Sequence, residues 1–401
     1  MVVLIGYQAY DLARSDYGYS RSEGAFLLGL LGLAQFVPLL LLTPVAGWAA
    51  DRFDRRSVAA FANLIDCSIA TALALLTWSG GLNLPIIFIL AALHGAARVF
   101  VNPAMSAIAP NIVPHQLLPR AIALSSIAWQ LATVIGPAVG GVLFAEANWL
   151  PHALSAVLLL CSAVLTRTVR PVRAEQDEMA RHPLRQMVEG AQFTWSQKFL
   201  LGCITLDLFA VLLGGATAML PVFARDILMV GPEGLGIMRG APAAGALIVA
   251  LRMAWKPLET NVGPKMLWAV VVFGAATIAF GLSRNFMLSL SILTLLGAAD
   301  MISVFIRASL IQLNTPDRMR GRVSSISGLA ISASNELGEM QSGLAAAVFG
   351  ATGAVVFGGA AAIVVTAIWA WIFPQLRQAN TFAPEFLPES IDTTFTKKEA
   401  L

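Results

Sequence analysis

Long apolar runs separated by short polar breaks dominate this chain. They fall at roughly 24–49, 57–78, 84–106, 121–145, 149–167, 199–221, 234–254, 265–283, 287–311, 323–348 and 352–373. Each is close to the roughly 20 residues an α-helix needs to cross the hydrocarbon of a bilayer. An earlier segment, Met1 to Ala13, is equally apolar but short of that length, and no basic leader or cleavage site marks it as a signal peptide. It is counted as a first span that lacks its cytoplasmic half, through a misassigned start or a truncation. The pattern predicts an all-α polytopic membrane protein with twelve spans.

The one long polar break covers 168–198, and within it Leu184–Trp195 reads as an amphipathic helix lying along the membrane surface. The expected organisation is a transmembrane half over 1–167, a cytoplasmic central loop over 168–198, a second half over 199–374 and a polar, disordered tail over 375–401. Shifting the chain by 202 residues lays His94-Gly95-Ala96-Ala97-Arg98 on Leu296-Gly297-Ala298-Ala299-Asp300. The same shift brings Pro114 onto Pro316, Arg120 onto Arg322, Gly136 onto Gly338 and Gly141 onto Gly343. Span four therefore matches span ten and span five matches span eleven. Parallel halves of this kind recur among transporters.

Composition agrees with the span count: 57% of residues are hydrophobic and 12% charged, against about 25% charged in a soluble domain. The net charge of +3 matters less than where the charges lie. Alternating sides from the loop at Asp51 puts nineteen of the 26 Lys and Arg residues on one face. Arg14, Arg21, Arg225 and Arg284 are on the other, and three are intramembrane. Short basic loops stay in the cytoplasm, so the Asp51 loop and the C-terminus are expected there. Cys67, Cys161 and Cys203 sit singly in apolar stretches and read as small buried hydrophobes, and no metal-ligand spacing occurs. No Gly-Lys pair exists to build a phosphate-binding loop, nor is there a nucleophile elbow or a nucleic-acid patch. The chain is expected to be neither an enzyme nor a cofactor binder, and an ion gradient is its natural energy source.

Two motifs carry a family resemblance. Gly47, Asp51, Arg52, Arg55 and Arg56 after span two resemble the signature loop of the major facilitator superfamily, and Gly136-Pro137-Ala138-Val139-Gly140-Gly141 resembles the GPxxGG motif of its exporting and antiporting branches. Places where that motif usually has further glycines hold Ala123 and Ala132. Asp207–Pro221, Arg320–Ser325 and Ser334–Glu339 are similar to the branch that holds the enterobactin exporter and related secretion transporters. The resemblance implies a major facilitator fold of two six-helix halves in a bacterial cytoplasmic membrane. It further implies a monomer that moves a small amphipathic, siderophore-like molecule by alternating access. A broad multidrug/proton antiporter is the alternative, ahead of a nutrient importer or a non-transporting receptor. It also implies that Asp51 is part of a charge latch with basic residues and the start of span eleven, and that GPxxGG lies between the halves. Glycines free of side chains let a neighbouring helix approach, and Pro137 bends its span. Ordinary membrane glycine packing is the plainer account.

By family analogy spans one, four, seven and ten line the central cavity. Three of them carry a central charge: Arg98, Asp207 and Asp300, with Arg307 two turns further on the same face. Intramembrane charges are costly and normally face a cavity or a partner. The repeat places Arg98 and Asp300 at equal depth with opposite sign, so these two are expected to pair or exchange partners across the cavity. A static ion pair holding helices together is the other reading. Glu336 and Glu339 share a face of span eleven. With Asp207 and Asp300 they are candidates for proton coupling, because carboxylates in a low dielectric exchange protons nearer neutrality. Alternatively they bind backbone groups or Arg239. Asp66 and His94 read as satisfied packing groups.

Overall fold

The computed structural model describes residues 2–112, 118–169 and 183–386. The side chains of Asp51, Arg120 and Arg185 are outside the described set, as are most of the long polar break and the residues after 386. Of the tail expected to be disordered over 375–401, the part up to 386 is ordered: Pro374–Gln378 is helical with Leu376 buried, and the Phe386 amide donates to Asn314 while its ring stacks on Phe199. The rest of that expectation, and the charge latch at the Asp51 carboxylate, fall on residues not described.

The described chain is helical, in the order α1 (Val2–Ser15), α2 (Arg21–Arg52), α3 (Arg55–Trp78), α4 (Leu84–Ile112), α5 (Leu118–Glu146), α6 (Leu150–Thr168) and α7 (Pro183–Ser196). Then come α8 (Lys198–Leu213), α9 (Gly231–Trp255), α10 (Val262–Leu282) and α11 (Phe286–Leu313). Residues 317–372 follow as one run broken at Gly350, giving α12 (317–349) and α13 (351–372), before the short α14 (Pro374–Gln378). Among the described residues nine helical segments are long and apolar enough to cross a bilayer, and the longest holds both α12 and α13. α1, at fourteen residues, is about 21 Å long at 1.5 Å per residue.

Polar residues at the breaks set the helix starts. Ser20 and Glu23 form a reciprocal capping box at α2, Asp54 accepts the amide of Arg56 at α3, and Asn285 accepts that of Leu288 at α11. Trp78, Trp195, Trp255, Trp268 and Trp371 stand exposed near helix ends, where a membrane-water interface favours an aromatic ring with a polar edge.

Within the first half α3 packs on α4 and α6, and α2 on α4. Within the second, α9 packs on α11, and α10 on α11 and the α12–α13 run. The halves join along two seams, α2 with α12 and α5 with α9. Helices in lipid gain little from hydrophobicity when they associate, so close approach relies on small residues. A Cβ on Gly343 would lie 2.5 Å from the Cα of Gly29, and one on Gly141 would lie 2.5 Å from the Pro232 carbonyl. Gly29, Gly141, Gly236 and Gly343 are all within eight residues of the helix ends remote from Arg52–Arg56. The halves are therefore pressed together at the end opposite the basic loops, here called the far end.

The span carrying Asp207 is not continuous. α8 stops at Gly214, a 3-10 turn covers Ala216–Met219, and the segment finishes as a π-turn over Phe223–Ile227. Gly350 has φ 72° and ψ 167°, a region open essentially to glycine alone, and no side chain lies within 4 Å of where a Cβ would sit. Backbone strain rather than a clash is thus the cost of substitution there. Gly350→Ala is expected to destabilise the protein by about 1–3 kcal/mol, read as a fall of a few degrees in the detergent melting curve. An unchanged melting temperature would show that the α12–α13 turn does not need this backbone shape.

Candidate functional site

The charged side chains gather in four layers between the basic end and the far end. The deepest pair lies wholly within the second half. Asp207 is nine residues into α8, about 13 Å from Lys198, and its Oδ1 meets Nη2 of Arg307 on α11 at 2.8 Å. Their side chains are 9% and 5% exposed, so neither charge has water to fall back on. Nη1 of Arg307 also donates to Ser303 Oγ at 3.4 Å. Asp300 is close enough to interact electrostatically with both members of the pair. The cluster holds two carboxylates and one guanidinium.

The second layer crosses from half to half. Nη1 of Arg98 on α4 reaches Oε1 of Glu336 on α12 at 3.3 Å. Arg98 is therefore paired with Glu336 and not, as the repeat suggests, with Asp300. The repeat fixes depth along the membrane normal but not rotation about each helix axis, and rotation decides the partner. Four residues before Arg98, His94 Nδ1 meets Asp66 Oδ1 at 2.8 Å, joining α3 to α4 inside the first half.

Beside the Arg98–Glu336 bridge is a half-open cleft between α1 and α2 on one side and the broken span, α9 and α12 on the other. Glu339, one turn after Glu336, and Arg239 of α9 line it, with Gln35 and the Thr217 backbone as further polar groups. Leu28, Leu31 and Leu220 supply apolar wall. Gly32 lets Glu339 sit against α2, since a Cβ there would come within 2.9 Å of the Glu339 Cβ. From the sequence Arg239 is expected only as an alternative partner for the glutamates. Recognising that it faces open space needs the fold.

The third layer seals the far end. Asp226, in the π-turn, accepts from Tyr10 Oη at 2.7 Å and faces Arg14 Nε at 3.4 Å and Arg21 Nε at 3.5 Å. Arg225 in turn holds Asp11 at 2.6 Å. All of Tyr10, Asp11, Arg14 and Arg21 belong to the first half, while Arg225 and Asp226 belong to the second. In the sequence Arg14, Arg21 and Arg225 stand out only as markers of sidedness. The adjacent acids Asp11 and Asp226 were the available signal that these arginines have partners.

The fourth layer is the basic end. Asp54 Oδ2 meets Arg56 Nη2 at 2.7 Å, and this hydrogen-bonded guanidinium holds the Asp54 carboxyl below the usual carboxylate range. A depressed carboxyl stabilises at neutral pH, and that contribution fades only as pH falls through its lowered value. Arg56 also donates to the Val169 carbonyl at the end of α6, and Arg167 to Ser57. Gly47 is half-buried on α2, while Arg52 closes that helix and Arg55 opens α3. At the start of α12, where a latch partner for Asp51 was expected, Arg322 pairs with Glu189 of α7 at 2.7 Å. Leu184–Trp195 is thus a helix tied to α12. Of the GPxxGG residues, Gly141 and the Pro137 carbonyl face α9 across the α5–α9 seam, Gly140 approaches Leu4, and Gly136 has open space beside it. Among the described residues no three His, Cys, Asp or Glu side chains are grouped as a metal site.

Removing one member of a buried ion pair strands the other charge, at about 3–5 kcal/mol. Asp207→Leu and Arg307→Leu are each expected to cost that much, and the double substitution to recover most of it. A double variant as unstable as either single one would mean that the pair is not what holds α8 to α11. For the far end, Asp226→Asn is expected to widen the distance between spin labels at Tyr17 and Met229, which are exposed on opposite halves. An unchanged distance distribution would assign the closure to helix packing alone.

Comparison with known proteins adds a lineage to this geometry. The family model for the Major Facilitator Superfamily matches residues 4–339. The macrolide efflux protein A of Streptococcus pyogenes is 23% identical over 86% of each chain. The enterobactin exporter EntS of Citrobacter koseri is 28% identical over 82% of this chain and 80% of its own. Among solved structures, a bacterial homolog of the human lysosomal transporter Spinster, in an inward-facing and unoccupied conformation, superposes with a TM-score of 0.67 at 14% identity. That match covers 94% of this chain and 92% of the other.

Proposed function

The chain belongs to the Major Facilitator Superfamily, and from that premise we propose that it is a proton-coupled exporter of a small amphipathic, siderophore-like molecule. It works as a monomer in a bacterial cytoplasmic membrane, with the basic end and the C-terminus in the cytoplasm. Alternating access would rock the two halves about a site near the membrane midplane. With the far end pressed shut, the described conformation is the one that receives substrate from the cytoplasm. The relatives support the direction of transport, since two of them are named for efflux and export.

One observation carries the coupling. The Arg98–Glu336 pair is a bond between the halves, so it has to break or exchange whenever they separate at that level. A proton arriving at Glu336 cancels the carboxylate and releases Arg98. A proton taken up at one face and lost at the other would then make and break this bridge once per cycle. Arg98 is 46% exposed on its side chain and Glu336 11%, which gives protons and water a route to the bond. Asp207, Asp300 and Arg307 lie inside one half, so no bond between the halves depends on them. The macrolide efflux relative favours a second reading, a multidrug/proton antiporter of broad specificity with the same cycle.

In proteoliposomes bearing an outward proton gradient, Glu336→Gln is expected to abolish proton release on ligand addition and to slow transport about tenfold or more, the usual scale of a coupling group. Arg98→Ala should do the same while the purified protein keeps its melting behaviour. Full proton release from Glu336→Gln would remove this residue from the coupling path. Accumulation of an iron chelator inside a deletion strain would favour the siderophore reading, and unchanged chelator export with raised drug sensitivity the multidrug one.

A further inference from the structure

We propose that Arg239 is the residue that recognises the transported molecule, by binding an anionic oxygen of it, so that the substrate class is an amphipathic carboxylate. This rests on the exporter reading and adds the charge of the cargo and the residue that selects it.

Arg239 differs from the other intramembrane arginines. Arg98 and Arg307 each have a carboxylate oxygen within 3.3 Å. Among the described residues Arg239 has no such partner within 4.0 Å, and its hydrogen bond to the Thr217 carbonyl is 3.5 Å long, at the limit of what counts as one. A guanidinium cannot shed its charge by losing a proton, and leaving it underpaired at membrane depth is expensive. The side chain lines the cleft, where a ligand oxygen can supply what the protein withholds. The fork of donors suits the two oxygens of a carboxylate. Leu28 and Leu31 across the cleft, with Leu220 on the same side, suit an apolar body attached to it.

Glu339 explains how the empty site stays tolerable. It lines the same cleft and acts electrostatically on the same region as Arg239 without touching it, so it supplies diffuse compensation that a ligand anion has to compete with. Neutralising Glu339 and binding an anion therefore favour one another, and this pair alone would carry anion and proton in the same direction. The opposite sense needed for export has to come from the Arg98–Glu336 bridge across the halves. The two acids of α12 are thus given separate duties.

The test uses the full-length protein in nanodiscs and two dansyl amphiphiles of equal size, one ending in a carboxylate and one in a quaternary ammonium. Binding is read by dansyl fluorescence. The wild-type protein is expected to prefer the carboxylate probe by roughly tenfold, and Arg239→Ala to lose 10- to 100-fold of that affinity, the worth of a charge-assisted contact. Arg239→Lys should retain part of it, and Glu339→Gln should tighten carboxylate binding several-fold. The last variant leaves Arg239 in place and so decides the matter even where Arg239→Ala does not fold. Equal or better binding of the ammonium probe, binding of neither probe, or a carboxylate affinity indifferent to both positions would overturn the proposal. Selective carboxylate binding without any transport in proteoliposomes would instead sink the exporter reading and leave the anion site standing.

Discussion

A charge placed in hydrocarbon has to find a counter-charge, and in this protein that demand decides which helices meet and which can part. Asp207 and Arg307 satisfy each other inside one half, so their bond does not depend on how the halves are set. Arg98 and Glu336, and Asp226 with Arg14 and Arg21, satisfy each other between halves. Such bonds are conditional on how the halves are set. Two classes of ion pair therefore coexist, one that builds the bodies and one that reports and biases their relative position.

Much of the fold is legible in the one-dimensional pattern, because a membrane turns hydropathy into length. The runs at 323–348 and 352–373 correspond to two helices with Gly350 between them, and the amphipathic stretch after 183 forms α7. The site is less legible. The 202-residue repeat puts Arg98 and Asp300 at one depth, but their partners depend on the rotation of four helices about their own axes. Nothing in the order of residues encodes that angle directly. Arg239 was visible as an intramembrane charge, and only the arrangement of α9 against the broken span shows that it faces space instead of an acid. At the far end the arginines were read for their sign, which says where the membrane surface is and nothing about Asp226.

The segment joining the halves is more than a tether. α7 packs on α12 and touches α2, and Gly190 lies so close to the Arg322 backbone that a Cβ there would come within 2.9 Å of its carbonyl. With the Glu189–Arg322 pair added, the basic end of α12 carries α7 along whenever it moves. The basic end of α12 thus has a rim made partly of α7.

Where Gly29 meets Gly343, backbone touches backbone with no side chain in between. Side-chain closures leave rotamer-sized gaps that come and go, and a file of water molecules can thread them. Bare peptide against bare peptide leaves no such gap. At that one crossing the seam works like a gasket, backbone seated on backbone, and what has to be undone before it lifts is the ring of ion pairs around Asp226 and Arg225.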